Sequence, residues 1–126
     1  MKVLIVEDDN SMAQMCAKLV RRRGHTSCLA GSAEEALEII DTDKGIDVVV
    51  SDVNMPRMSG LQLVERLRAL DETLPVVLMT GYTQIVNASQ AIALGAADYL
   101  VKPFDSEAFI ACLERVLSSA RELPLY

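Results

Sequence analysis

The sequence predicts a doubly wound α/β domain, in which a five-stranded parallel sheet carries helices on both faces. Short apolar runs alternate with stretches of helical hydrophobic spacing along the 126 residues. Four of the runs end in a polar or charged residue. In open α/β sheets, ligands bind at the carboxyl ends of the strands, so these polar residues predict one binding site. No linker, repeat or low-complexity segment divides the chain, and one domain over residues 1–126 is expected.

The first half of the chain contains three predicted strands and two predicted helices. Ser11 and Gln14 have the spacing of a capping box and open a helix that extends to Gly24. Ser32 and Glu35 form a second capping box. The strands are expected at residues 2–6, 26–29 and 47–51, and the second helix at residues 33–40.

The second half contains two further strands and three helices. Ser59 and Gln62 cap the third helix, and Asp105 caps the last one. Gly95 ends the fourth helix. The third, fourth and fifth helices are expected at residues 60–70, 85–94 and 106–117, and the strands at residues 76–79 and 97–101.

Composition and charge exclude several classes of protein. The net charge of −6 argues against direct binding to nucleic acid, which favours a basic surface. No apolar run approaches the roughly 18 residues that a transmembrane helix requires, and no signal peptide is expected. Three cysteines give no disulfide framework and suit a cytoplasmic location. Cys16 and Cys112 lie on apolar helical stripes and are predicted core residues.

The polar strand ends have a common chemistry. Glu7 and Asp8 follow the first strand, Asp52 the third, Thr80 the fourth and Lys102 the fifth. Three carboxylates, a hydroxyl and an ammonium together would bind a divalent cation and a phosphoryl group. The chain has no Gly-rich phosphate loop and no histidine placed as a phosphodonor, so the phosphoryl group must come from a partner or a small acyl phosphate.

Four motifs resemble the receiver domain of bacterial two-component response regulators, and the resemblance extends from Val3 to about Leu117. It implies a flavodoxin-like sheet with strand order 2-1-3-4-5 and a switch point between the first and third strands. In this family the peptide bond before Pro103 is commonly cis. The motifs are Val6-Glu7-Asp8-Asp9, Ser51-Asp52-Val53-Asn54-Met55-Pro56 with Gly60, Met79-Thr80-Gly81, and Asp98-Tyr99-Leu100-Val101-Lys102-Pro103-Phe104.

The resemblance implies that Asp52 is the phosphoacceptor. It also implies that a sensor histidine kinase or a phosphotransfer protein supplies the phosphoryl group. A carboxylate can attack phosphorus and form an aspartyl-phosphate. It also implies a Mg²⁺ site in which Asp8 and Asp52 bind the metal directly, Asn54 offers its backbone carbonyl and Glu7 acts through water. Such an ion would pair with carboxylates that otherwise raise one another's pKa.

Further roles follow from the same resemblance. Lys102 would supply positive charge to the phosphoryl group, and Thr80 would donate a hydrogen bond to one of its oxygens. Tyr99 would turn inward when Thr80 moves. Asn54 and Tyr82 would tune dephosphorylation at the mouth of the site, where the bulk of Tyr82 would shield the acyl phosphate from water.

The resemblance implies a switch that catalyses only its own phosphorylation and dephosphorylation. Its output surface would be the fourth helix, fifth strand and fifth helix, binding a downstream effector or a second copy in a homodimer. We expect no membrane contact. We expect residues 1–126 to hold the receiver domain without an output domain, which fits either a stand-alone regulator or the receiver part of a longer transcription factor or hybrid kinase.

Two alternatives compete with this interpretation. A haloacid-dehalogenase-type phosphatase also uses a strand-end aspartate and Mg²⁺, but its second aspartate acts as general acid, and Asn54 stands at that position here. A structural module without phosphoryl chemistry is the other alternative. The complete set of acids together with Thr80 and Lys102 argues against it.

Overall fold

The computed structural model describes residues 1–70, 73–81, 90 and 92–121, with only the backbone for residues 120 and 121. Element boundaries agree with the predictions to within two residues, except that the last helix extends to Arg121, four residues beyond its predicted end. None of the described helices is long and apolar enough to cross a membrane. The strands are β1 (Lys2–Val6), β2 (Thr26–Ala30), β3 (Val48–Asp52), β4 (Val76–Gly81) and β5 (Asp98–Lys102), and the helices are α1 (Asn10–Arg22), α2 (Ala33–Thr42), α3 (Gly60–Leu70) and the C-terminal helix (Ser106–Arg121).

The five strands form one parallel sheet in the order β2-β1-β3-β4-β5, which confirms the predicted topology. The register brings the carboxyl ends of the strands to one edge. Val6 pairs with Ser51, Asp52 with Met79, and Gly81 with Lys102. The predicted fourth helix lies largely outside the described residues, although Gln90 and residues 92–94 are helical.

Two hydrophobic clusters cover the two faces of the sheet. Successive β-strand side chains point to opposite faces, so Val48 and Val50 enter one cluster and Val49 enters the other. The α1 and C-terminal helices pack on the first face, and α2 and α3 pack on the second. Cys16 and Cys112 lie in the first cluster, where burial raises the pKa of each thiol to about 11. Their predicted role as core residues is confirmed.

Helix caps fix where the chain leaves the sheet. Ser59 and Gln62 form the predicted reciprocal capping box, with Ser59 donating to the Gln62 side chain at 2.9 Å and Gln62 donating back at 3.2 Å. Asp105 accepts a 2.8 Å hydrogen bond from the Ala108 amide, as predicted. The capping box predicted at Ser11 is wrong. Asp9 caps α1 by accepting from the Ser11 and Met12 amides, because the helix already begins at Asn10.

Candidate functional site

The topology brings three of the predicted site carboxylates together. Glu7, Asp8 and Asp52 each offer a carboxylate oxygen, and these atoms lie within 4.8 Å of one another. The β1–β3 pairing creates this group, because Glu7 and Asp8 directly follow β1 and Asp52 ends β3. Glu7 and Asp52 are buried and Asp8 is exposed. The group therefore opens to solvent on the side of Asp8.

The donor set suits a hard divalent cation. Mg²⁺ prefers oxygen ligands and keeps several waters, so a few carboxylates with one exposed side are appropriate. The three acids provide oxygen donors alone, without histidine or cysteine. Asn54 is exposed two residues after Asp52, and the role of its backbone carbonyl stays a prediction. These residues fit a magnesium ion held by carboxylate oxygens.

Lys102 supplies a positive charge to this acidic group. Its Nζ lies 3.3 Å from a carboxylate oxygen of Glu7 and 3.3 Å from one of Asp52, and its side chain is 25% exposed. Burial lowers the pKa of Lys102, but the carboxylates of Asp52 and Glu7 more than offset this, so the pKa is raised overall. The side chain is therefore a charged ammonium at neutral pH. Its bond to Pro103 is cis, as the resemblance implies.

One lysine does not balance the acids around it. Burial raises the pKa of Glu7, and the nearby Asp52 carboxylate adds to this effect. The Asp9 amide, which donates to Glu7 at 3.2 Å, and the Lys102 ammonium oppose it, yet the pKa of Glu7 stays raised. A carboxylate with a raised pKa is held at an energetic cost in its charged form. The site is therefore short of positive charge.

Thr80 brings an unsatisfied hydroxyl to the same edge of the sheet. It is fully buried in β4, and its Oγ1 has no hydrogen-bond partner among the described residues. A buried polar atom without a partner is costly, so the hydroxyl favours a ligand that can accept from it. The neighbouring strand carries Tyr99, a residue that is 39% exposed. Tyr82 lies outside the described residues, and its shielding role stays a prediction.

Ser51, to which the sequence predictions assign no role, is fully buried beside Asp52. Its hydroxyl donates a 3.0 Å hydrogen bond to the backbone carbonyl of Asp52. The sequence signal for this role is the position of Ser51, a polar residue directly after the apolar run from Val48 to Val50. Ser51 therefore holds the main chain of the predicted phosphoacceptor.

Comparison with known proteins agrees with this geometry. Residues 3–114 match the family described as response regulator receiver domain. The response regulator protein FleR of Pseudomonas aeruginosa is 41% identical over 114 residues, covering 90% of this chain and 24% of that protein. The transcriptional regulatory protein ZraR of Escherichia coli is 35% identical over 121 residues, covering 96% of this chain and 27% of ZraR. The chain thus spans about a quarter of the length of these curated relatives.

A solved structure gives the same result at the level of fold. The receiver domain of NtrX from Brucella abortus superposes with a TM-score of 0.88 at 30% identity, covering 93% of this chain and 98% of that one. The comparisons offer no support for the phosphatase alternative. The chain therefore belongs to the response regulator receiver domain family, whose members are phosphorylation-dependent signalling switches.

Proposed function

We propose that Asp52 is the phosphoacceptor of this domain and that it receives its phosphoryl group from a histidine kinase or a phosphotransfer protein. The observation that carries the proposal is the pair of environments on the two sides of its carboxylate. Glu7 and Asp8 provide oxygen donors on one side, and the Lys102 ammonium lies 3.3 Å away on the other. A carboxylate between a cation site and a fixed ammonium is well placed to receive a phosphoryl group.

The transfer itself needs one bond to form and one to break. A carboxylate oxygen of Asp52 attacks phosphorus, and the bond from phosphorus to the donor breaks with its electron pair leaving on the donor. Bound Mg²⁺, held by Asp8, Asp52 and the Asn54 carbonyl with Glu7 acting through water, would neutralise carboxylate and phosphoryl charge. Lys102 stabilises the negative charge of the transferring group. Attack of water on phosphorus then breaks the bond to the Asp52 oxygen, releases inorganic phosphate and restores the carboxylate. In this proposal the domain catalyses only its own phosphorylation and dephosphorylation.

Thr80 would link the modified aspartate to the rest of the domain. Its unpartnered buried hydroxyl can donate to a phosphoryl oxygen and so be drawn toward Asp52. The space that it leaves could accept the Tyr99 ring, which lies on the adjoining strand β5 and is exposed. Two alternative positions of Tyr99 would give the bistable element that a switch requires.

Labelling with acetyl phosphate tests the phosphoacceptor. In the presence of Mg²⁺ the chain should gain one phosphoryl mass that hydroxylamine removes. Asp52→Asn should abolish this gain, whereas Asp41→Asn, at a side chain that is 86% exposed near the end of α2, should label like the wild type. Equal labelling of Asp52→Asn at another residue would refute the assignment.

We further propose that the signal leaves through the fourth helix, β5 and the C-terminal helix to an effector or a second copy of the chain. The sequence from Thr83 to Gly95 contains no charged residue, although a solvated helix face normally carries several. Amide exchange with and without beryllofluoride tests this surface. Protection should change around Tyr99 and over residues 81–94 more than in α2, and a change confined to α2 would refute it.

We also propose that residues 1–126 are a single receiver domain that controls a partner or an attached output domain. The full lengths of FleR and ZraR are compatible with an attached output domain in this protein too, since they exceed the matched region about fourfold. Phosphotransfer assays with histidine kinases of the source cell would identify the donor. A cytoplasmic location is part of the same proposal.

A further inference from the structure

The first residue of α3 lies unusually close to the main chain of the predicted phosphoacceptor. A Cβ atom at Gly60 would be 2.4 Å from the Asp52 carbonyl oxygen and 2.9 Å from the Val53 Cα. Real Cβ contacts essentially never fall below 3.0 Å, so any side chain here would displace one backbone by at least about 0.6 Å. The helix thus begins in direct contact with the Asp52–Val53 peptide.

Two hydrogen bonds hold the Asp52–Val53 peptide, and a third holds the carbonyl of the peptide that follows it. The Gly60 amide donates to the Val53 carbonyl at 2.9 Å, and the Val53 amide donates to Met79 of β4 at 3.0 Å. The buried Ser51 hydroxyl donates to the Asp52 carbonyl oxygen at 3.0 Å. The main chain that carries the Asp52 carboxylate is therefore held by β4, by α3 and by its own neighbour.

Space, and not backbone freedom, explains why Gly60 is a glycine. Its φ lies outside the left-handed region, so alanine could adopt the same backbone conformation. Alanine is also a much better helix former than glycine. A glycine at the first position of a helix, where neither conformation nor propensity favours it, indicates that the close approach to Asp52 itself matters.

We propose that Gly60 and Ser51 are positioning residues for the Asp52 carboxylate. The inference rests on the proposed function of Asp52 as the phosphoacceptor. Gly60 sets how closely α3 approaches the Asp52 carbonyl, and Ser51 fixes the direction of that carbonyl. Both therefore fix the carboxylate relative to Lys102 on one side and to Glu7 and Asp8 on the other. In-line transfer depends on such placement, since a shift of about 1 Å can cost on the order of a hundredfold in rate.

The test compares Gly60→Ala with Gly31→Ala in the full chain. Gly31 is a matched control, because a Cβ there would meet nothing within 4 Å and its φ is also ordinary. The acetyl phosphate labelling rate and the Mg²⁺ affinity without phosphodonor are measured on folded protein, well below the unfolding midpoint. The free energy of unfolding is measured separately by urea titration. Gly60→Ala should slow labelling at least about tenfold and weaken Mg²⁺ binding, with Gly31→Ala unchanged in both.

The outcomes separate positioning from stability and from the proposed function. A purely structural role for Gly60 would lower the unfolding free energy and leave the rate and Mg²⁺ affinity of the folded protein intact, which would overturn the inference. If Gly60→Ala does not fold, Ser51→Ala tests the inference instead. Ser51→Ala should slow labelling at least about twofold, which is the effect of losing one weak hydrogen bond. An unchanged labelling rate in Ser51→Ala would overturn the inference. If the wild-type chain takes no phosphoryl group, the proposed function itself fails.

Discussion

The two edges of the sheet use similar charged residues in opposite ways. At the amino edge, where the strands begin, the charges are paired. Lys2 forms an ion pair with Asp43, its amide donates to Asp47 at 2.7 Å, and Arg115 contacts Asp98 at 2.6 Å. At the carboxyl edge, where the strands end, Lys102 is the one lysine or arginine in the described part of the chain that contacts Glu7 and Asp52. At the amino edge the acids have cation or amide partners, as expected of a structural surface. At the carboxyl edge the site acids share one lysine, as expected of a site that binds a cation.

The pKa values of one acid at each edge show the difference. For Asp98, burial acts to raise the pKa, but the Arg115 guanidinium and the Tyr99 amide outweigh it, and the pKa is lowered. For Glu7, burial again acts to raise the pKa, the Asp52 carboxylate adds to it, and the pKa is raised. The fold thus stabilises the charged form of Asp98 and disfavours that of Glu7. A cation at the carboxyl edge would remove this asymmetry.

Removing Lys102, the cation that contacts Glu7 and Asp52 among the described residues, should have the largest effect. Lys102→Met should reduce the acetyl phosphate labelling rate by on the order of a hundredfold, because a fixed charge that stabilises the transferring group is lost. Lys44→Met is the control, since that side chain is 78% exposed beside Asp41. Mass spectrometry of labelled protein over time measures both rates. Labelling of Lys102→Met at the wild-type rate would contradict the role of Lys102.

Supplying the missing charge should have the next largest effect. Mg²⁺ at about 100 times its dissociation constant should raise the free energy of unfolding by about 2.7 kcal/mol, provided that it binds only the folded state. Asp8→Asn should reduce this gain strongly. Asp9→Asn should reduce the Mg²⁺-dependent gain less, because the role of Asp9 is to cap α1. Asparagine is an equally good cap, so the helix should be retained.

Urea unfolding with and without Mg²⁺ measures the gain for each variant. A titration of metal binding by calorimetry gives the affinities independently. If Asp8→Asn and Asp9→Asn bind Mg²⁺ alike, Asp8 is not a metal ligand.

The architecture could be predicted because its signals are local. An apolar run such as residues 48–50 is buried on both faces of a parallel sheet, and the residue that follows it must lie at the carboxyl edge. That rule places Asp52, Glu7 and Lys102 at one edge from their positions along the chain alone. The family resemblance then supplied the strand order, which the sheet confirms.

Features that depend on distances between elements could not be predicted in the same way. The 2.4 Å approach of Gly60 to Asp52 depends on how closely α3 packs on the sheet, and the Asp98–Arg115 pair depends on the rotation of the C-terminal helix. The cap predicted at Ser11 is also wrong. The helix α1 begins one residue earlier, at Asn10, and Asp9 is its cap.

Neutralising one buried acid should stabilise the metal-free protein. Glu7→Gln should raise the free energy of unfolding at pH 7, because it removes a buried charge beside Asp52. The folded-state pKa of Glu7 is above its ordinary value of 4.5, so wild-type stability falls as pH rises through that folded-state value. The advantage of Glu7→Gln should therefore be greatest near neutral pH and shrink as the pH approaches 4.5.

Urea unfolding in EDTA between pH 4.5 and 8 measures this difference. Glu38→Gln is the control, since Glu38 is exposed on α2 and should show no such pH dependence. A Glu7→Gln variant that is less stable than the wild type at pH 7 would mean that the Lys102 contact outweighs the cost of burial.

The amino edge should give the smallest effect and the opposite pH dependence. Arg115→Ala should lower stability slightly at neutral pH, since the Arg115 side chain is 63% exposed. The pKa of Asp98 is lowered in the fold, so its contribution is present above the ordinary value of 3.8 and is lost as pH falls through the folded-state value. The difference from the wild type should therefore shrink in acid, whereas Arg66→Ala, at an exposed position on α3, should show no such trend. Thermal unfolding between pH 3 and 7 measures the stabilities.

Because the charges of the amino edge are paired independently of the phosphoacceptor, the labelling rate of Asp52 should be unchanged in Arg115→Ala. A slowed rate would show that the two edges are coupled, and the Asp98 carboxylate, which also accepts the Tyr99 amide at 2.8 Å, would be the connection.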